Sequence, residues 1–300
     1  MNITNNKNLP EVIVRKINRE KHNAPHTVSA TTLKSGTRAF WLTDRHDSEI
    51  TVDVVDMLWA LWGTVAHTIL EEEDENTFVE EKVEKLIQGD WKVTGRIDGY
   101  NMLTCEVYDW KTTSAWKIVY KNFDDWKFQG LVYAWLLKQN GLECKKCRFI
   151  AMLKDHSRKD AMFNTSYPQE PVSIYEFDVT DKDLAEIEIK IRAKMKEIIE
   201  NENTPDDELP LCTPEERWQK TEYAVFKNKT SKRAEKVFNE KNFPNTSDEE
   251  LLRLANEFKD AIGGELVDRS KDGKCDGYCS CCEFCTYWQE NYNKPVENIA

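Results

Sequence analysis

Strand-like runs of apolar and polar residues occupy 79–86, 91–99, 105–111, 147–153 and 172–179. Gly99, Tyr100 and Asn101 predict a turn between the second and third. A helical rhythm governs 51–73, where Leu58, Trp62, Val65 and Ile69 share one stripe and Asp56, Ala60, Gly63 and His67 lie opposite. A helix apolar on one side and small on the other is expected to pack on both. Its narrow side would admit a sheet and aim His67 inward. Further helices are expected over 124–139, over 182–201 with Ile187, Ile191 and Ile198 at helical spacing, and over 248–263. Helix, three-strand meander, helix, strand, strand, helix predicts a mixed α/β layer fold. Residues 1–24 read as a loose N-terminal arm, 25–202 as the core and 203–300 as a C-terminal region that packs on it. Residues 203–209, with Pro205 and a run of acids, read as a linker.

Composition narrows the class. The chain has 300 residues, 40% hydrophobic and 32% charged, which fits a globular protein and excludes collagen-like, coiled-coil and wholly disordered chains. No apolar run nears the roughly 18 residues of a membrane span, and residues 1–8 carry no apolar signal core. A cytoplasmic location is the expectation, where nine cysteines serve as metal ligands or buried thiols rather than disulfides. The net charge of −12 argues against coating nucleic acid by bulk attraction. One stretch is locally basic: Lys220, Lys227, Lys229, Lys232, Arg233 and Lys236 face only Glu222 and Glu235. It reads either as a solvated helix and hairpin or as a DNA-contacting patch, with Lys227, Lys229, Lys232 and Arg233 as the contacts.

The informative stretch is Gly95-Arg96-Ile97-Asp98, followed ten residues later by Asp109-Trp110-Lys111. Residues two apart in a strand point the same way, so Asp109 and Lys111 share a face, with Asp98 on the preceding strand. Two carboxylates brought together repel unless a hard cation such as Mg²⁺ lies between them. A lysine beside them can stabilise developing negative charge, and the set is suited to phosphodiester hydrolysis. Hairpin arithmetic from a turn at Gly99 leaves the aspartates offset, so a bulge or strong twist is expected there. Two helical pairs flank the hairpin: Gly63-x3-His67-x3-Glu71 before it and Gln129-x3-Tyr133 after it, each one turn apart and on one side.

With these residues in this order, the chain resembles the RecB-type branch of the PD-(D/E)XK nuclease superfamily, in particular phage-encoded and CRISPR-associated single-domain exonucleases. The likeness spans about residues 29–288. It implies a restriction-endonuclease-like mixed sheet flanked by helices, with a C-terminal iron–sulfur region. It further implies that His67, Asp98, Asp109 and the Trp110 carbonyl bind catalytic Mg²⁺ or Mn²⁺. Lys111 would be the catalytic lysine, with Gln129 and Tyr133 orienting it and the DNA backbone. The motif's opening Pro-Asp is here Ile97-Asp98, a common departure in this branch.

Cys275, Cys279, Cys281, Cys282 and Cys285 crowd eleven residues, and Cys212 stands alone upstream. Such density points to metal, and both zinc and iron–sulfur clusters accept four thiolates. The resemblance implies a [4Fe-4S] cluster on Cys212, Cys275, Cys279 and Cys285, although Cys275 lies three residues before Cys279 where relatives have two. A rival register through Cys279, Cys282 and Cys285 resembles ferredoxin spacing, and Cys281 is a further alternate. Cys144-x2-Cys147 lacks a second pair and reads as structural. The leading expectation is a metal-dependent DNA exonuclease of phage DNA processing or recombination, acting in a bacterial host's cytoplasm. Its substrate would be DNA, single-stranded or with free ends, and recombination or replication proteins are candidate partners. Two alternatives stand beside it: a DNA-end or partner-binding module with little turnover, and a nucleic-acid-binding protein stapled by Zn²⁺.

Overall fold

The computed structural model describes residues 1–17, 24–70 and 76–292. Two compact units emerge: residues 1–35 with 47–204, and residues 36–46 with 205–300. Residues 36–46, expected in the core, thus belong to the second unit. Residues 2–17, expected as a loose arm, carry β1 (Asn2–Thr4) and α1 (Glu11–Ile17). After β2 (Thr27–Ser29) the chain enters the second unit for α2 (Thr37–Arg45) and returns through β3 (Thr51–Asp53), which pairs parallel with β1.

The first unit then continues through α3 (Val54–Leu70), β4 (Thr77–Gln88), β5 (Trp91–Asn101), β6 (Glu106–Thr113), α4 (Ala115–Val119) and α5 (Asp124–Gln139). It closes with β7 (Lys146–Leu153), α6 (Arg158–Phe163), β8 (Val172–Asp178) and α7 (Asp181–Glu200). A six-stranded mixed sheet runs in the order β2-β5-β6-β7-β8, with β4 also on β5. The α/β expectation holds, and all five strand-like runs are strands. β6 and β7 are parallel, as a helical crossover requires. On β7 the alternate residues Cys147, Phe149, Ala151 and Leu153 are buried. α5 lies between this sheet and α7, which is why it is buried nearly all round from Trp126 to Leu137. Two glycines permit that approach. A Cβ on Gly95 would fall 2.9 Å from the Tyr133 ring and Leu136, and one on Gly130 would fall 3.0–3.2 Å from Phe177, Phe149 and Cys147.

α3 meets the expectation on one side only. Gly63 lies against β6, where an added Cβ would stand 3.5 Å from Thr112 Oγ1. The apolar stripe is not packed: Trp62 is 56% exposed, Ile69 is 73% exposed, and Val65 is open as well. The periodicity registers a greasy face but not whether any element of the same chain covers it. The helix is also shorter at its start, because residues 51–53 serve as β3. Glu71 lies outside the described residues.

The second unit holds β9 (Gln219–Lys220), β10 (Glu222–Phe226), β11 (Lys236–Asn239), α8 (Asp248–Ile262), β12 (Glu265–Asp268), β13 (Lys271–Asp272) and α9 (Thr286–Asn291). β11-β10-β12 form an antiparallel sheet whose Val225 and Phe238 pack with Leu251 and Ala255 of α8. Gly263, at φ 63°, ends α8 in the left-handed conformation. Residues 203–209 are not a free linker: Leu209 is buried, its carbonyl accepts from Arg38 Nε at 3.1 Å, and Asp206 pairs with Arg45 at 2.6 Å and His46 at 2.8 Å. The basic stretch forms the β10–β11 hairpin, with Lys227, Lys229, Lys232 and Arg233 exposed in its loop. Among the described residues no helix is long and apolar enough to cross a membrane.

Candidate active site

The turn between β5 and β6 falls at 102–105, later than Gly99–Asn101. The Asn101 side chain starts it, its Oδ1 accepting from the amides of Leu103 and Thr104 at 3.0 Å each, and Cys105 completes it at φ 58°. The ladder pairs Asn101 with Glu106, Tyr100 with Val107 and Gly99 with Tyr108. Asp98 and Asp109 are therefore next in line and opposite each other. Of the bulge or strong twist expected at Gly99, the ladder shows no bulge, and its register brings the two aspartates level. The ladder stops there, and Asp98 Oδ2 accepts from the Trp110 amide at 2.8 Å.

The other singled-out residues converge on this point. Asp109, 1% exposed, lies with Oδ1 2.5 Å from Lys111 Nζ. Gln129 of α5 binds three ways: Oε1 accepts from Lys111 Nζ at 3.0 Å, while Nε2 donates to Asp109 Oδ2 at 3.2 Å and to the Tyr133 hydroxyl at 2.6 Å. From α3, His67 Nδ1 reaches Asp98 Oδ1 at 3.4 Å. Thus His67, Asp98, Asp109, Trp110, Lys111, Gln129 and Tyr133 form one constellation within the first unit.

Its electrostatics are unsettled as it stands. Burial pushes the Asp109 carboxyl up to about 6; Lys111 pulls it down, and Asp98 pushes it further up. His67 is raised by its bond to Asp98, against partial burial. Asp109 Oδ1 has no hydrogen bond of good geometry despite the nearby ammonium. Among the described residues no three His, Cys, Asp or Glu side chains stand ready as a cage for a metal ion. The donor set nevertheless suits a hard divalent cation: one imidazole and two carboxylates, of which Asp109 has a buried oxygen without a hydrogen bond. It can position a cation, a water and a polarising ammonium about one phosphate.

The second unit gathers the cysteines. Cys212, Cys275, Cys279, Cys281, Cys282 and Cys285 line a single cavity with Arg38, Ala39 and Arg217. Gly36 makes room, because a Cβ there would overlap the Cys212 sulfur. Cys279 and Cys281 sulfurs are 3.5 Å apart, and Cys281 also donates to the Ala39 carbonyl at 3.6 Å. That first contact lowers Cys279 to about 6, whereas burial raises Cys275 to about 12. Sequence reasoning missed the supporting residues. Arg217 bonds the Cys212 carbonyl and pairs with buried Asp272 at 3.2 Å, and Asp272 accepts from the Tyr287 hydroxyl at 2.6 Å. No local spacing links Arg217 to Asp272, so nothing in the sequence could have signalled the pair. Cys144 and Cys147 are buried with sulfurs 3.9 Å apart, and Cys147 donates to the Gly130 carbonyl, as structural thiols do.

A family model described as the PD-(D/E)XK nuclease superfamily matches residues 22–288. A comparison with curated proteins gave no match. Among solved structures the chain is similar to SSO0001 at 17% identity and TM-score 0.44, covering 65% of this chain and 86% of that one. It is also similar to the alkaline exonuclease LHK-Exo of Laribacter hongkongensis at 11% identity and TM-score 0.36, over 59% and 89% of the two chains. A phage related exonuclease from Haemophilus somnus 129PT gives 12% identity and TM-score 0.28, over 54% and 71%.

Proposed function

The chain belongs to the PD-(D/E)XK nuclease superfamily, and from that premise we propose that it is a divalent-metal-dependent DNA exonuclease working at the Asp98–Asp109–Lys111 centre. The observation that carries this reading is the triple bonding of Gln129, which ties the buried Asp109, the ammonium of Lys111 and Tyr133 into one rigid set. A structural ion pair has no need of a second carboxylate opposite it, and Asp98 supplies one. In this reading His67, Asp98, Asp109 and the Trp110 carbonyl hold Mg²⁺ or Mn²⁺. A bound ion would supply Lewis acidity and lower the pKa of its water. Lys111 orients the attacking water and offsets negative charge on the phosphoryl oxygens. Gln129 bonds both Lys111 and Asp109 and so fixes their orientation, and Tyr133 holds Gln129 in turn. Hydrolysis adds water across one P–O bond, and the released sugar oxygen takes a proton.

The cysteine cavity is read as the seat of a [4Fe-4S] cluster on Cys212, Cys275, Cys279 and Cys285, with Cys281 and Cys282 as alternates and Zn²⁺ as the alternative metal. Six thiols on one cavity and the vacant Cβ position of Gly36 support a tetrathiolate group there. Its role is structural, since phosphodiester hydrolysis transfers no electrons. Lys227, Lys229, Lys232 and Arg233 are read as contacts to the DNA backbone, and phage DNA processing or recombination in a bacterial cytoplasm as the setting. The test compares linear with covalently closed circular DNA, with Mg²⁺ or Mn²⁺ and with chelator. Linear DNA should be consumed from its ends, the circle should survive, and chelator should stop the reaction. Binding to ends with no nucleotide released under any metal would replace this reading with a DNA-end-binding module.

A further inference from the structure

α3 leads away from the candidate centre along one line. Trp59, Gly63 and His67 are successive turns of one face; His67 reaches Asp98 and Gly63 abuts Thr112 of β6. Trp59 therefore lies about 12 Å along the helix from His67, at 1.5 Å per residue. It is not buried there: the ring is 63% exposed, with Lys154 Nζ 3.8 Å from its centroid. Lys154 is itself tied to the strand that carries Lys111, its amide donating to the Thr113 carbonyl at 2.9 Å. The next residue, Asp155, accepts from Ser114 Oγ at 2.6 Å and the Ala115 amide at 2.7 Å, which anchors α4. On α4, Trp116 (47% exposed) and the following Tyr120 (73% exposed) stand with near-parallel rings, centroids 6.0 Å apart and planes at 28°. From Lys111 to Phe123 the chain has three lysines and no acid, in a protein of net charge −12. Lys154 forms no ion pair among the described residues.

Lys111 pairs with Asp109 and Lys117 with Asp125, which leaves Lys154 as the ammonium that meets the exposed rings. Large rings left in water beside a candidate phosphodiester centre, with that ammonium against one of them, match the surface that binds single-stranded nucleic acid. Bases stack on the rings and phosphates meet the cations. A duplex would offer these rings only its phosphate backbone, because its bases are already stacked. We propose that Trp59, Trp116 and Tyr120, with Lys154, form a stacking shelf that receives the unpaired bases of a single-stranded DNA end and leads its backbone to Lys111. The proposal rests on the nuclease reading for what happens at Lys111, but the shelf is tested by binding alone.

The experiment uses the full chain in chelator, so that no cleavage occurs, and follows binding to oligothymidine, to an abasic oligomer of equal length and to a blunt duplex. Oligothymidine should bind about tenfold or more tighter than the abasic oligomer and should quench tryptophan fluorescence. Trp59→Ala and Trp116→Ala should each weaken oligothymidine binding about tenfold, leave abasic binding unchanged and leave the melting temperature unchanged. Trp116→Phe should restore most of the loss. Equal affinity for oligothymidine and the abasic oligomer, or alanine variants that bind as wild type, would overturn the shelf. So would a wild-type dimer that Trp59→Ala turns into a monomer, since a second copy would then cover the face. Stacking without any cleavage in Mg²⁺ would sink the nuclease reading and spare the shelf, while cleavage without stacking would do the reverse.

Discussion

Asp109 bears the sharpest conflict in the first unit: an acid 1% exposed, opposite a second acid, with one oxygen lacking a hydrogen bond. Its carboxyl is raised from the ordinary value of 3.8 to about 6 by burial. A raised acid stabilises the fold fully below its unfolded pKa, and that stability is lost as pH rises through the folded one. Metal-free protein should therefore lose stability between about pH 4 and 6. Asp109→Asn should remove this loss and raise metal-free stability above pH 7 by about 1–3 kcal/mol, read by thermal melts across pH. Parallel melting curves for variant and wild type from pH 4 to 8 would show that burial does not govern the group. Lys111→Ala should lower turnover about 100- to 1000-fold with metal affinity nearly unchanged, measured by calorimetry beside single-turnover cleavage. An equal fall in both would make Lys111 a prop for the site. Asp98, Asp109 and Lys111 were legible because strand periodicity and charge chemistry are local. Their register was not, because it depended on the Asn101 side chain starting the turn two residues later than glycine suggested.

At the scale of elements, α5 was readable in full at Asp124–Gln139, since two acids open it and its apolar run is unbroken. What brings Gln129 and Tyr133 of α5 onto the sheet is the missing Cβ of Gly95. Gly95→Ala should press on the Tyr133 ring, cost about 1–3 kcal/mol of stability and slow cleavage, with melting temperature and kcat as the two readouts. A variant with an unchanged melt would mean that α5 can retreat freely. α3 was legible in its narrow face and misleading in its apolar one. Trp62 and Ile69 have the spacing of core residues, yet they stand in solvent. Periodicity records that a face is apolar; only tertiary structure tells whether protein covers it.

At the scale of the whole molecule, the chain makes two units whose key residues come from distant stretches. Gly36 and Ala39 meet Cys212 and the 275–285 cysteines, a union that no local pattern contained. A metal joining Cys212 to the later cysteines would close a long loop, worth about 3 to 5 kcal/mol by the cross-link argument. Anaerobically purified protein should be brown and carry iron and sulfide, and Cys212→Ala should lose the colour together with the fold of the second unit. Colourless protein holding zinc would replace the cluster and keep the staple; a folded Cys212→Ala would remove the staple too. The central claim is the metal-dependent centre on β5 and β6. Its most direct measurement is release of nucleotide from end-labelled DNA by wild type and Asp109→Asn as Mg²⁺ is titrated. Wild-type release should rise with Mg²⁺ and vanish in chelator, while the folded variant stays inactive at every concentration. Wild-type cleavage by Asp109→Asn, or release undiminished by chelator, would contradict the account.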